Sequence, residues 1–194
     1  MTPTRHGSVF PPARSSISVP HSGVITGIEW LGEEIPYPEP GKKGDTFPVT
    51  WAADGNQYTS AGDPCWGEKG DGLDFECILG DAPDYRIEKV NDMPAYRGAG
   101  GTGPKPTGLI SVGGVLYMGV QNVTGSGIWE DSLGNYGHGY DGQVICSRDY
   151  GKTWTPDIKQ LDAPMFPGRS YAAPAFVNYG RNNAGALDEY VYAI

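Results

Sequence analysis

Two aspartates stand at the feet of one short apolar segment, "GDTFPVTWAADGNQYTSAGD": Asp45 just inside its start and Asp63 at its close. Paired carboxyls are the minimum equipment for hydrolysing a glycosidic bond. One protonates the departing oxygen, while the other activates water across ~6.5–9.5 Å or attacks directly at ~5–5.5 Å. Further acids and aromatics are concentrated in two stretches. "GDPCWGEKGDG" holds Trp66, Glu68 and Asp71, and "NVTGSGIWEDSLGNYGHGYDG" holds Trp129, Glu130, Asp131, Tyr136, His138 and Tyr140. Aromatic faces stack on the C–H patches of sugars, and carboxylates and amides take up hydroxyls. A segment as long as the second, without helix or strand pattern, is uncommon unless functional. Lys105 and Arg169 add cationic donors for hydroxyls or developing negative charge, and Gln121 and Asn122 add amides.

These side chains need a scaffold, and the composition points to an all-β one. Thirty Gly and 17 Pro break helix interiors, and 12 Tyr with 5 Trp favour strands. "FPVTWA" and "NQYTSA" are strand-like and flank Ala53-Asp54-Gly55, a strong hairpin signal; "LDFECIL" and "YRIEKV" flank "GDAPD". The same grammar then recurs. "PTGLISVGGVLYMGVQN" parallels "PVTWAADGNQYTSAGD", with Tyr117 against Tyr58, and "GQVICSRDYGKTWTPD" supplies its second hairpin. A third copy opens at "PAFVNYG" and reaches "DEYVYAI". Units of roughly sixty residues, each a four-stranded antiparallel meander, predict a β-propeller. The blades would span about 44–92 and 104–158, with a third beginning at 172. Propellers close with about four or more blades, so residues 23–194 are expected to be the N-terminal part of an incomplete ring, with C-terminal blades missing. Residues 1–22, rich in Pro and Ser, are expected to be a disordered tail or linker, and "GVITGIEW", Gly23 to Trp30, a strand.

Propeller geometry turns chain position into a face. The innermost strand of each blade runs from one face to the other and the next strand returns. Strand starts and the connections after second strands therefore share a face. On that rule Asp45, Asp63, Lys105, Gln121, Asn122 and Arg169 line up together, near the axis. Asp54 and Asp149 fall on the opposite face, where their work is turn formation, and so does Arg181. Asp45, on a rigid inner strand, is the principal catalytic carboxylate expected, as base or nucleophile. Asp63 is the candidate acid, since two close carboxylates raise one pKa. Glu68, Glu130, Asp131 or an acid in a missing blade stand as rivals for that role.

"CSRDYGKTWTP" matches the Asp-box, S-x-D-x-G-x-T-W, at Ser147, Asp149, Gly151, Thr153 and Trp154. In sialidases and other glycan-active propellers that box folds the outer hairpin of a blade, away from the active face. A wider resemblance runs through "VITGIEW", the Asp45–Asp63 hairpin, "GVLYMGVQN", the Asp-box and "PAFVNYGRNNAGALDEYVYAI". In this order they resemble the bacterial and fungal family catalogued as domain of unknown function 4185. The chain differs from its usual pattern at Phe47 (Trp in members), at Ala53 (Asp) and in "CWGEKGDGLDFECILG". The resemblance implies a five-bladed propeller, secretion or cell-surface display, and for some members endo-D-arabinanase-type hydrolysis of a neutral polysaccharide. A non-catalytic glycan-binding or protein-interaction propeller is the alternative.

A net charge of −9 argues against binding the phosphate backbone of nucleic acid. No run reaches the ~18–20 apolar residues of a membrane span, and the first twenty residues carry no signal-peptide core. Cys65, Cys77 and Cys146 have neither disulfide nor metal-ligand spacing and are expected to be buried small hydrophobes. No cofactor or metal site is expected, and His138 stands alone in a Gly-rich stretch. Asn122-Val123-Thr124 matches the short glycosylation sequon.

Overall fold

Strand pairing here is fixed by tight turns that few residues can make. A computed structural model describes residues 23–24, 26–27, 29, 43–65, 73–81, 84–96, 103–124 and 139–194, with backbone alone at 43–45 and 63–65. Residues Ile35–Ile194 form one compact unit. At the first turn the backbone closes with Ala52 N–H on the Asn56 carbonyl at 2.9 Å. Asp54 fastens it, accepting from the Asn56 N–H at 3.0 Å and from the Tyr58 hydroxyl at 2.7 Å. That turn joins strands β2 (Val49–Trp51) and β3 (Gln57–Ser60), paired Val49 to Thr59 and Trp51 to Gln57. Beyond a break at residues 46–48 the two chains pair again as β1 (Lys43–Asp45) and β4 (Gly62–Cys65).

The predicted second hairpin forms as β5 (Phe75–Leu79) and β6 (Arg86–Asn91), giving a four-stranded antiparallel sheet in the order β2-β3-β5-β6. The repeat follows as β7 (Lys105–Val112), β8 (Val115–Gln121) and β9 (Gln143–Ser147), a three-stranded antiparallel sheet. A fourth strand was expected there. Only a bridge appears, Cys146 with Thr155, because Pro156 follows and has no N–H to extend the ladder. The third copy is a paired segment bridged at Phe176 and Ala193. Among the described residues there is no α-helix, and the protein is all-β with antiparallel sheets. The strand expected over Gly23–Trp30 is not formed by its described residues, and Val24 is almost fully exposed.

The repetition is visible in register. Tyr58 pairs with Cys77 in the first sheet as Tyr117 pairs with Cys146 in the second. By the same register Leu109, Leu116, Met118 and Ile145 occupy the positions of Val49, Gln57, Thr59 and Glu76. Tyr58, Phe75 and Cys77 face those four buried apolar residues in the core between the sheets. Two fully buried Leu or Ile side chains alone contribute on the order of 3–6 kcal/mol there.

The turn after β9 closes the outer side of this core. Ser147 Oγ donates to Asp149 at 2.8 Å and accepts from the Gly151 N–H at 2.7 Å. Asp149 then accepts from the Thr153 N–H and hydroxyl at 2.9 and 2.6 Å. Gly151 has φ +91°, and a Cβ there would lie 2.1 Å from the Phe75 ring. Trp154 meets that ring edge-on at 4.9 Å, and Tyr150 stacks on Tyr58 at 5.9 Å. Asn91, ending β6, donates to the Gly151 and Lys152 carbonyls and ties the first sheet to this turn. Cys77 is buried as expected, and burial raises its thiol pKa. Cys146, expected to be buried, is only half-buried because it sits in the short edge bridge.

Candidate functional site

The first strands of the three copies lie side by side and run the same way. Thr107 Oγ1 donates to the Pro174 carbonyl at 2.8 Å, and Asn178 Nδ2 donates to the Leu109 carbonyl at 3.1 Å. Thr50 joins all three: its hydroxyl accepts from the Ser111 N–H at 3.0 Å and donates to Asn178 Oδ1 at 2.9 Å. Close approach requires small residues, and Cβ atoms at Gly108 or Gly119 would lie 2.7 or 2.6 Å from the Pro174 carbonyl oxygen.

The turns of these hairpins converge at one end. Asn182 Oδ1 accepts from Ser111 Oγ and the Gly114 N–H, both at 3.0 Å, and Arg181 donates to the Ala53 carbonyl. Asp54 and Arg181 thus have the structural work expected of them. Asp149 does too: burial opposes its ionisation, but hydrogen bonds from Thr153 and Ser147 outweigh it and lower its pKa.

The strand feet lie at the other end. Asp45 pairs in register with Gly62, the neighbour of Asp63, so both aspartates belong to the same end of the first hairpin. Lys105 pairs with Gln121, and β4 lies against β7. With the strands co-directional, the Asp45–Gly62 end falls beside the Lys105 end. Lys105 and Gln121 are buried, at 2 % and 8 % exposure.

Asn122 is fully buried, with φ +57°. Its amide accepts from the Tyr140 N–H at 3.1 Å and donates to the Gly103 carbonyl at 3.3 Å, while its own N–H bonds the Tyr140 carbonyl. Expected as a ligand-binding residue, it holds three chain segments together, and this sequon presents no amide to solvent. Arg169 is exposed and follows Gly168, whose N–H donates to Asp141 at 2.7 Å. Trp66, Glu68, Trp129, Glu130, Asp131 and His138 lie outside the described residues.

Two acids at this end escaped the sequence reading. Asp141 is buried, accepts from Gly168 N–H and Thr124 Oγ1, and so fixes the Tyr140–Gly142 segment against residues 166–168. Its signal was the Asp-Gly immediately before a strand in "YDGQVIC". Asp74, preceding β5, is fully buried and paired with Lys89 Nζ at 3.4 Å. Lys89 also reaches Asp92 at 2.8 Å; that hydrogen bond leads in raising the ammonium pKa, against burial. Among the described residues no group of three His, Cys, Asp or Glu could hold a metal ion, and no helix is long and apolar enough to cross a membrane.

Comparison with family models, with curated proteins and with solved structures returns no match to this chain.

Proposed function

We propose that this chain is part of a β-propeller that binds and hydrolyses a neutral carbohydrate polymer, arabinan being the first substrate to try. The reaction would take place at the end marked by Asp45, Asp63, Lys105 and Arg169. One observation carries this reading: three co-directional first strands, with their turns gathered at one end and Asp45, Gly62 and Lys105 at the other. Axial arrangement of inner strands is what a propeller requires, and the hydrogen-bonded Ser147–Thr153 turn supports the Asp-box reading of its outer hairpin. Further blades would complete the ring.

In this mechanism Asp45 is the base or nucleophile and Asp63 the acid, with neighbouring carboxylates pushing their pKa values apart. The backbone pairing of Asp45 with Gly62 puts Asp63 one residue along the partner strand, at the same end of the hairpin. Lys105 and Gln121, packed rigidly, would frame the site floor, while exposed Arg169 would reach sugar hydroxyls. Reducing-end release from arabinan and a panel of neutral glycans tests this. Turnover abolished by Asp45→Asn, with the fold intact by circular dichroism, is the expected result. Binding without turnover would assign a glycan-binding module instead, and turnover indifferent to Asp45→Asn would refute the mechanism.

A further inference from the structure

Residues 166–172 form a loop whose two ends return to one glycine. The Phe166 N–H donates to the Gly142 carbonyl at 2.9 Å, and the Phe166 carbonyl accepts from the Gly142 N–H at 2.8 Å. A Cβ at Gly142 would lie 2.6 Å from the Ala172 carbonyl oxygen, so the far end of the loop closes on the same residue. Between these ends Gly168, with φ +74°, is held by Asp141 twice. Its N–H donates to the carboxylate at 2.7 Å, and its carbonyl accepts from the Asp141 N–H at 2.8 Å. Gln143 fixes the approach, accepting from the Met165 N–H at 3.0 Å. Consecutive residues Asp141, Gly142 and Gln143 of the second copy, all of them buried, therefore mount the loop.

Register places this loop at the strand feet. Gln143 pairs with Val120, and the residue after Val120, Gln121, pairs with Lys105. Gly142 thus stands level with the Lys105 foot, and Gly168, bonded to Asp141, stands one residue further out. What the loop offers there is an aromatic ring on a rigid mount. Tyr171 is 37 % exposed, and Phe166 meets it at 4.9 Å with the ring planes 85° apart. In a perpendicular pair one ring presents its edge, so Phe166 covers at most one face of Tyr171. Arg169 and Ser170, its neighbours in the chain, are exposed as well. An aromatic face flanked by hydrogen-bond donors suits a sugar ring, whose C–H patch lies on the aromatic while its hydroxyls go to the polar neighbours. Pinned at both ends, the loop has little freedom to lose when a ligand binds.

We infer that Tyr171 is the stacking platform of a distal subsite. It takes a sugar ring of the same neutral polymer, away from the bond being cleaved, and Arg169 and Ser170 bond that ring's hydroxyls. The inference rests on the carbohydrate reading of the Asp45 end and extends it by one binding position. The loop is built on the second copy, so further blades beside the third do not enter its construction.

Calorimetric titration of the full chain in an Asp45→Asn background, where turnover does not consume the ligand, compares an arabinan octasaccharide with a disaccharide. Tyr171→Ala is expected to weaken octasaccharide binding roughly 3- to 10-fold, the loss of one aromatic stacking contact, and to leave disaccharide binding unchanged. Tyr171→Phe keeps the ring and should keep the affinity. Hydrogen exchange needs no loop variant: the octasaccharide should slow exchange at residues 169–171 and the disaccharide should not. Octasaccharide affinity unchanged in Tyr171→Ala, or an equal loss at both ligand lengths, overturns the subsite while glycan binding stands. So does a Tyr171→Phe variant as weak as Tyr171→Ala, or exchange at 169–171 indifferent to the octasaccharide. No uptake of either ligand, in this background or by the unaltered chain, overturns the subsite and the carbohydrate reading together.

Discussion

Gly151→Ala tests how the two sheets are joined, because two separable costs meet at one atom. The residue has φ +91°, and the new methyl would lie 2.1 and 2.2 Å from two ring carbons of Phe75, itself fully buried and edged by Trp154. A left-handed backbone costs a non-glycine residue roughly 1–2 kcal/mol, and overpacking a core adds roughly 1–3 kcal/mol. The sum is about 2–5 kcal/mol of unfolding free energy. Gly113→Ala is the control: φ is +58° there and nothing lies within 4 Å of the new methyl, so only the backbone cost of about 1–2 kcal/mol applies. Urea unfolding of both variants, of Phe75→Leu and of the Gly151→Ala/Phe75→Leu double variant completes a cycle. The smaller side chain should recover about 1 kcal/mol or more of the Gly151→Ala loss. Equal losses at Gly151 and Gly113, with no coupling to Phe75, would refute the packing of the Ser147–Trp154 turn on the first sheet.

Asn122→Ala should destabilise by about 1–3 kcal/mol, since it strands buried backbone groups, measured by thermal or urea unfolding. An unchanged stability with weakened glycan binding would refute the structural role and favour the ligand role. Asp149→Asn should flatten the acid limb of stability. The folded pKa of Asp149 is depressed, so its contribution is present above the unfolded carboxylate value of about 3.9 and is lost as pH falls through the lower folded value. Unfolding midpoints measured from pH 6 down to pH 2 check this. Tyr58→Phe removes one hydrogen bond to Asp54 and should cost about 1 kcal/mol. It should also delete a phenol that burial, then the Asp54 bond, hold protonated beyond the usual tyrosine range, seen in an ultraviolet pH titration.

What was legible in the chain is what local chemistry determines. Asp54-Gly55 fixes a turn whatever surrounds it, and the Ser147–Trp154 spacing lets one carboxylate collect three donors within seven residues. The repeat followed from the recurrence of such local signals, as did the separation of turn acids from foot acids. Burial could not be read in the same way. Asn122 and Lys105 stand at a strand foot, where sequence position alone is compatible with solvent, and only the packing of distant segments encloses them. Asp141 and Asp74 were overlooked because each anchors a connection whose partner lies elsewhere in the chain or across a strand pair. Thr155-Pro156 reads as the end of a strand in the repeat, yet proline allows only the bridge to Cys146. Gly23–Trp30 has the apolar content of a strand, but its described residues form none.

The most direct measurement of the function proposed is calorimetric titration with arabinan oligosaccharides, run beside a reducing-end assay on the same protein. Uptake and turnover by the unaltered chain, with turnover lost in Asp45→Asn and in Asp63→Asn while Asp54→Asn and Asp149→Asn retain it, is the predicted pattern. Turnover that survives substitution of both foot aspartates, or that depends instead on the turn aspartates, would contradict a carbohydrate site at the Asp45 end.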